Sequence, residues 1–152
     1  ANGVSCSVGD IGEIKLFKNG TWFPVKDLGS FDQDGYYFHH GRADDVIISA
    51  GWTMSAVEIE DVLLKHTAVE EAAVIGVPDE ERGQIVKAFI ITKSNEKTSL
   101  VKELQAFTRE RLSLHEYPRL IEFTDTLPKT PAGKVNRKIL RESTTEDNKR
   151  DI

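Results

Sequence analysis

Val46-Ile47-Ile48-Ser49-Ala50-Gly51-Trp52-Thr53-Met54-Ser55-Ala56-Val57-Glu58-Ile59-Glu60 is where the grammar of the chain changes. Val46-Ile47-Ile48 is a short β-branched run that reads as a buried strand. Ser55 followed three residues later by Glu58 is a capping box, in which a hydroxyl accepts from an orphan amide of the first helical turn. It predicts a helix running to about His66, with Ile59, Val62 and Leu63 on one face. Val69 to Val77 reads as a strand stopped by Pro78, and Ile85 to Thr92, carrying Val86, Phe89, Ile90 and Ile91, as its neighbour. Leu100, Leu104 and Phe107, with Leu112 beyond, mark a second amphipathic helix, and Leu120-Ile121-Glu122-Phe123 a third main strand. The expectation is an α+β domain over residues 46–142, a small three-stranded sheet flanked by helices. Arg137 to Glu142 adds a last helical turn, and 143–152 reads as a polar, frayed tail.

Upstream, residues 1–43 read as strands and turns: Gly12 to Phe17, a turn at Asn19-Gly20, Trp22 to Val25, and Gly35 to Phe38. These strands have too few partners, and isolated hairpins are marginal in water. They are expected to be the strand-rich remnant of a larger preceding domain. The chain opens on Ala1 in what reads as mid-domain, which suggests a piece excised from a longer protein. At 152 residues and 39% hydrophobic content it has enough apolar material for a real core. Its formal net charge of −5 argues against a broad electrostatic footprint for nucleic acid or anionic lipid, so any anion site must be local. No apolar run approaches the roughly 20 residues a membrane span needs. Cys6 is the only cysteine, which excludes an intrachain disulfide and a cysteine metal cluster and points to an intracellular, cytoplasmic protein.

Downstream, Leu127-Pro128-Lys129-Thr130-Pro131-Ala132-Gly133-Lys134-Val135-Asn136-Arg137 places a lysine on a segment whose prolines and glycine oppose helix and central strand. Lys134 is expected on a mobile arm; its bland alternative is a solvated basic loop. A second motif, Gly41-Arg42-Ala43-Asp44-Asp45, precedes Ser49-Ala50-Gly51-Trp52 and Val57-Glu58-Ile59-Glu60. With Pro78-Asp79-Glu80-Glu81-Arg82-Gly83, Val86-Lys87-Ala88-Phe89 and Tyr117-Pro118-Arg119, these motifs resemble the carboxy-terminal part of AMP-forming acyl-CoA synthetases, of the adenylate-forming enzyme superfamily. The likeness runs from about Ile11 to Arg141 and is strongest to synthetases acting on medium-chain or aromatic acids.

The resemblance implies a two-step chemistry. A carboxylate first attacks the α-phosphate of ATP, releasing pyrophosphate, and the acyl group then passes from AMP to the thiol of CoA. Both steps concentrate negative charge, which a cation entering on a loop can stabilise. Lys134 matches the family lysine of the first step. Arg42 aligns with the arginine at the nucleotide ribose and Asp27 with the carboxylate that receives its hydroxyls. Asp44 stands at the family hinge, 44–45, between the final strands of the large domain and a lid domain that rotates after adenylation. Ala50, Gly51 and Trp52 would meet pantetheine, and Gly51 suits the role because a missing side chain admits a ligand close to the backbone. Arg82, Tyr117 and Arg119, and more weakly Arg109, are candidate contacts for the nucleotide end of CoA. Mg2+ is expected with ATP, bound outside these residues. The implied partners are the large amino-terminal domain and a carboxylic acid.

Several residues keep plainer readings. Arg42 would also serve as a surface salt bridge to Asp44 or Asp45, Gly51 as a tight turn, and the CoA arginines as solvated side chains. His39-His40 suggests metal, but strand neighbours point to opposite faces, so no metal site is expected. Lys129, Lys134, Arg137, Lys138 and Arg141 form a basic run without interleaved aromatics, a poor nucleic-acid grip. Two departures stand out: Thr53 occupies a position where many relatives place a phosphate-reaching arginine, and Val25-Lys26-Asp27 replaces the usual Thr-Gly-Asp. The chain has no Ser/Thr/Gly-rich phosphate loop and no material for an acid pocket, so alone it is expected to be inactive. Alternatives are the lid of another adenylate-forming enzyme, such as a carrier-protein-loading adenylation domain, or a noncatalytic binding module.

Overall fold

Strand β4 (Val46–Ser49) turns back at once into β5 (Trp52–Ser55), and Ser55 caps α1 (Ala56–Leu63) by accepting from the Glu58 amide at 3.3 Å. In this computed structural model, which describes residues 5–150 and their side chains as far as 144, the chain divides into two compact units between Val46 and Ile47. The first holds β1 (Gly12–Lys18), β2 (Thr21–Phe31) and β3 (Tyr37–Arg42), an antiparallel sheet in that order, followed by a 3-10 turn over Ala43–Asp45. β2 runs well past the Trp22-to-Val25 stretch that the sequence suggests. It does so through a register irregularity and a left-handed Lys26 at φ 61°. Phe17, Trp22, Phe23, Tyr36, Tyr37 and Phe38 all stay exposed, so this sheet buries little of its own apolar surface.

The second unit is built on β6 (Glu71–Asp79), β7 (Gly83–Ile91) and β8 (Leu120–Phe123), with α2 (Lys97–Arg111) between β7 and β8 and α3 (Arg137–Arg150) after them. β6 and β7 form an antiparallel hairpin and β8 joins β7 in parallel, which is why a helix must cross over between them. The α+β expectation holds, with helices on the three-stranded sheet. Successive β6 residues point to opposite faces, and both faces are buried. Ala72 and Val74 join Ile47, Met54, Ile59, Leu63, Leu100 and Leu104 in one core, while Ala73, Ile75 and Val77 join Phe89, Leu127 and Leu140 in a second.

Three boundaries and one core position differ from expectation. β6 continues through Pro78 to Asp79, because β6 is an edge strand where a missing amide costs no ladder bond. α1 ends at Leu63, and residues 64–66 form a turn. In α2 the deep position after Leu104 is Thr108, fully buried with its hydroxyl bonded to the Leu104 carbonyl at 2.7 Å, rather than Phe107. Finally α3 does not stop near Glu142. The polar stretch from 143 is helical to Arg150, and 151–152 lie outside the described residues.

Candidate functional site

Asp27 and Arg42 face each other across β2 and β3 as register partners, with Arg42 Nη1 3.6 Å from Asp27 Oδ1. The second guanidinium nitrogen lies 3.8 Å from Asp44 Oδ2, at the same distance from that oxygen as Lys26 Nζ. The structure therefore gathers three of the sequence-derived residues, Asp27, Arg42 and Asp44, into one half-exposed charge cluster. The plainer reading of Arg42 as an Asp44 ion pair is realised at the same time. His39 Nε2 adds a contact 3.9 Å from Asp27, while His40 bonds Ser30 Oγ at 2.8 Å. Lys26 adopts a left-handed backbone at φ 61°, a conformation that glycine takes at least cost.

Within the second unit the remaining candidates form two groups. Ala50 and Gly51 are the two-residue turn between β4 and β5, and both have positive φ, 48° and 83°. The Ala50 amide donates to the Arg82 carbonyl at 2.9 Å, and Arg82 sits in a turn whose amides at 81 and 82 donate to Asp79 Oδ1 at 3.2 and 2.8 Å. Trp52, exposed, stacks on His115 at 4.6 Å and 18°, and two residues on Tyr117 lies between two guanidiniums, Arg109 at 5.0 Å and Arg119 at 5.2 Å. Gln105 of α2 holds this segment by donating to the Pro118 and Arg119 carbonyls at 3.1 and 3.2 Å. Ala50, Gly51, Trp52, Arg82, Tyr117 and Arg119 thus share the end of the sheet where β6 turns into β7. Thr53 is exposed beside them.

The Lys134 loop lies toward the opposite end. It is a closed turn rather than an open arm: Lys129 and Val135 form an antiparallel bridge, Thr130 donates to the Lys134 carbonyl at 2.7 Å, and Asn136 to that of Pro128 at 2.8 Å. Leu127 and Val135 root it in the second core, and Lys129 pairs with Glu71 at the first residue of β6. Among the described residues the exposed Lys134 ammonium has no ion-pair partner. Its neighbours in the basic run are spoken for, Arg137 by Glu60 and Lys138 by Glu142. Along β6 the two anchor points, Glu71 and Asp79, are roughly 26 Å apart at the usual rise per residue. Outside both sets, the Glu70 carboxylate, first by hydrogen bond and then by charge, holds the Lys93 ammonium above its ordinary range.

Sequence reasoning misses four residues that shape these loops: Asp79, His115, Glu60 and Arg137. Asp79 had a signal, an aspartate opening a turn that closes on Gly83 at φ 73°. Glu60 beside the apolar Ile59 and Leu63 also had one, because a carboxylate on a buried face needs a partner. The identity of that partner, 77 residues away, had none.

A fold of this kind, with a lysine loop at one end of its hairpin and a glycine turn at the other, is that of an adenylate-forming enzyme's carboxy-terminal domain. The family model for the AMP-binding enzyme C-terminal domain matches residues 58–134, and the chain belongs to that family. Among relatives, it is 39% identical to the uncharacterized acyl–CoA ligase YtcI of Bacillus subtilis (strain 168), over 92% of this chain and 31% of that protein. It is 40% identical to the mitochondrial acyl-coenzyme A synthetase ACSM1 of Homo sapiens, over 92% of this chain and 25% of that one. A crystal structure of the anthranilate CoA ligase AuaEII with anthranoyl-AMP superposes with a TM-score of 0.78 at 33% identity, covering 96% of this chain and 31% of the other. The chain therefore spans under a third of the length of these relatives. Among the described residues no helix is long and apolar enough to cross a membrane.

Proposed function

We propose that this chain is the mobile catalytic lid of an ATP-dependent carboxylic acid–CoA ligase, acting with a large amino-terminal domain and inactive alone. In the first step a carboxylate oxygen bonds to the α-phosphorus and pyrophosphate leaves; Lys134 stabilises the charge that builds up there. In the second the CoA thiol sulfur bonds to the acyl carbonyl and AMP leaves, with pantetheine passing the side-chain-free Gly51. Asp27 accepts from the ribose hydroxyls beside Arg42, and Asp44 is the hinge at which one face is exchanged for the other. Tyr117, flanked by Arg109 and Arg119, and Arg82 serve the nucleotide end of CoA. Mg2+ accompanies ATP, held by its phosphates and by residues of the large domain. A reducing cytoplasm suits the single, exposed thiol of Cys6.

The observation that carries this reading is the placement of the two candidate loops at opposite ends of one β6–β7 hairpin, fastened at Glu71 and at Arg82. One rigid element then cannot present both loops to the same reacting centre at once, and a rotation between steps solves that problem. The test joins the chain to its large domain and measures pyrophosphate release over a panel of carboxylic acids, then thioester with and without CoA. Acid-dependent pyrophosphate release followed by CoA-dependent thioester supports the ligase. Pyrophosphate release with acyl transfer only to a carrier protein would move the chain to a carrier-loading enzyme, and no release with any acid would leave a noncatalytic module.

A further inference from the structure

We propose that the buried Glu60–Arg137 pair is a positioning device that aims the Lys134 loop, and so is a specific requirement of the acyl-adenylate-forming step. The proposal rests on the reading of Lys134 given above. Glu60 lies in the middle of α1 and is only 8% exposed. Its Oε1 accepts from the Val74 amide at 2.7 Å and from Arg137 Nε at 3.1 Å, while Oε2 accepts from Arg137 Nη2 at 2.5 Å. Because β6 is an edge strand, its outward amides lack a ladder partner, and the carboxylate satisfies one of them. One side chain thereby joins α1, β6 and the first residue of α3.

Burying a carboxylate and a guanidinium is costly, and an apolar pair of similar volume often holds a fold as well. What the apolar pair lacks is direction: a two-nitrogen fork on a two-oxygen acceptor fixes orientation as well as position. That orientation reaches the lysine over a short path. Arg137 is three residues beyond Lys134, and the two residues between them are both held, Val135 by its bridge to Lys129 and Asn136 by its bond to Pro128. The other charged anchor of the loop, Lys129 on Glu71, is more than 40% exposed on both partners and gives a far weaker constraint.

The test uses the full-length enzyme. Arg137→Gln removes the guanidinium from a buried carboxylate and risks misfolding, so the decisive variant is the neutral pair Glu60→Gln with Arg137→Gln, which keeps an acceptor for Val74 and carries neither charge. Both half-reactions are timed, adenylation by pyrophosphate release and transfer to CoA from preformed acyl-AMP, with Lys134→Ala alongside. Misplacement of a reacting group by about 1 Å costs up to about 10²-fold, so adenylation should fall about 10- to 100-fold in the neutral pair while transfer stays near normal. Arg137→Lys, which keeps the charge, should recover part of the loss. Unchanged adenylation in the neutral pair, or an equal fall in both steps, overturns the positioning role. If Lys134→Ala also leaves adenylation intact, the reading of Lys134 falls with it; if that variant alone is impaired, the lysine keeps its role and only the positioning proposal is lost.

Discussion

Gly51 is held at φ 83°, and a Cβ built there meets no protein atom within 4 Å. The left-handed backbone alone sets the folding cost of Gly51→Ala, about 1–2 kcal/mol, since no internal clash adds to it. Any larger functional effect must come from a molecule outside the fold. Gly51→Ala should therefore slow transfer from preformed acyl-AMP to CoA while leaving pyrophosphate release near normal; an unaffected transfer rate would return Gly51 to the role of a plain turn glycine. Ala50, at φ 48°, shares the strain and has a single backbone bond to Arg82 to hold it. Residue chemistry of this kind is partly legible in advance. A glycine beside an aromatic and a lysine in a proline-bracketed loop announce themselves by type, whereas the Glu60–Arg137 and Trp52–His115 pairs depend on tertiary proximity, which no local pattern encodes.

At the scale of elements, the periodicities that mark α1, α2, β6, β7 and β8 survive in the structure because each reflects burial on a defined face. Leu104 is fully buried between α2 and the sheet, so Leu104→Ala should cost about 2–5 kcal/mol in urea unfolding of the chain. Ser55→Ala should cost only about 1 kcal/mol, the worth of one helix cap. A Leu104→Ala loss no larger than that of Ser55→Ala would mean that the first core does not hold this unit together. The elements that escaped were those whose cause is non-local. β5 is too short and too capped by its own Ser55 to stand out and exists by pairing with β4. Pro78 breaks a strand only when a neighbour needs its amide, and the outer side of β6 has none. α3 runs on through a stretch whose polar composition reads locally as a tail.

For the whole molecule, the two compact units divide just beyond Asp44, and the charge cluster of Asp27, Arg42 and Asp44 sits on the amino-terminal side of that division. Asp44→Pro fixes a dihedral at the proposed hinge and should spare adenylation while depressing thioester formation; equal loss of both would remove the hinge assignment. The isolated chain should unfold cooperatively yet release no pyrophosphate from ATP with any acid. The central claim is that a lysine loop and a glycine turn at opposite ends of one hairpin serve successive steps. Timing the two half-reactions of full-length Lys134→Ala tests it most directly. Adenylation should fall by on the order of 10² to 10³, the scale for losing one preorganised electrostatic contact, while transfer from preformed acyl-AMP to CoA runs near the normal rate. Unimpaired adenylation, or a comparable fall in both steps, would contradict it.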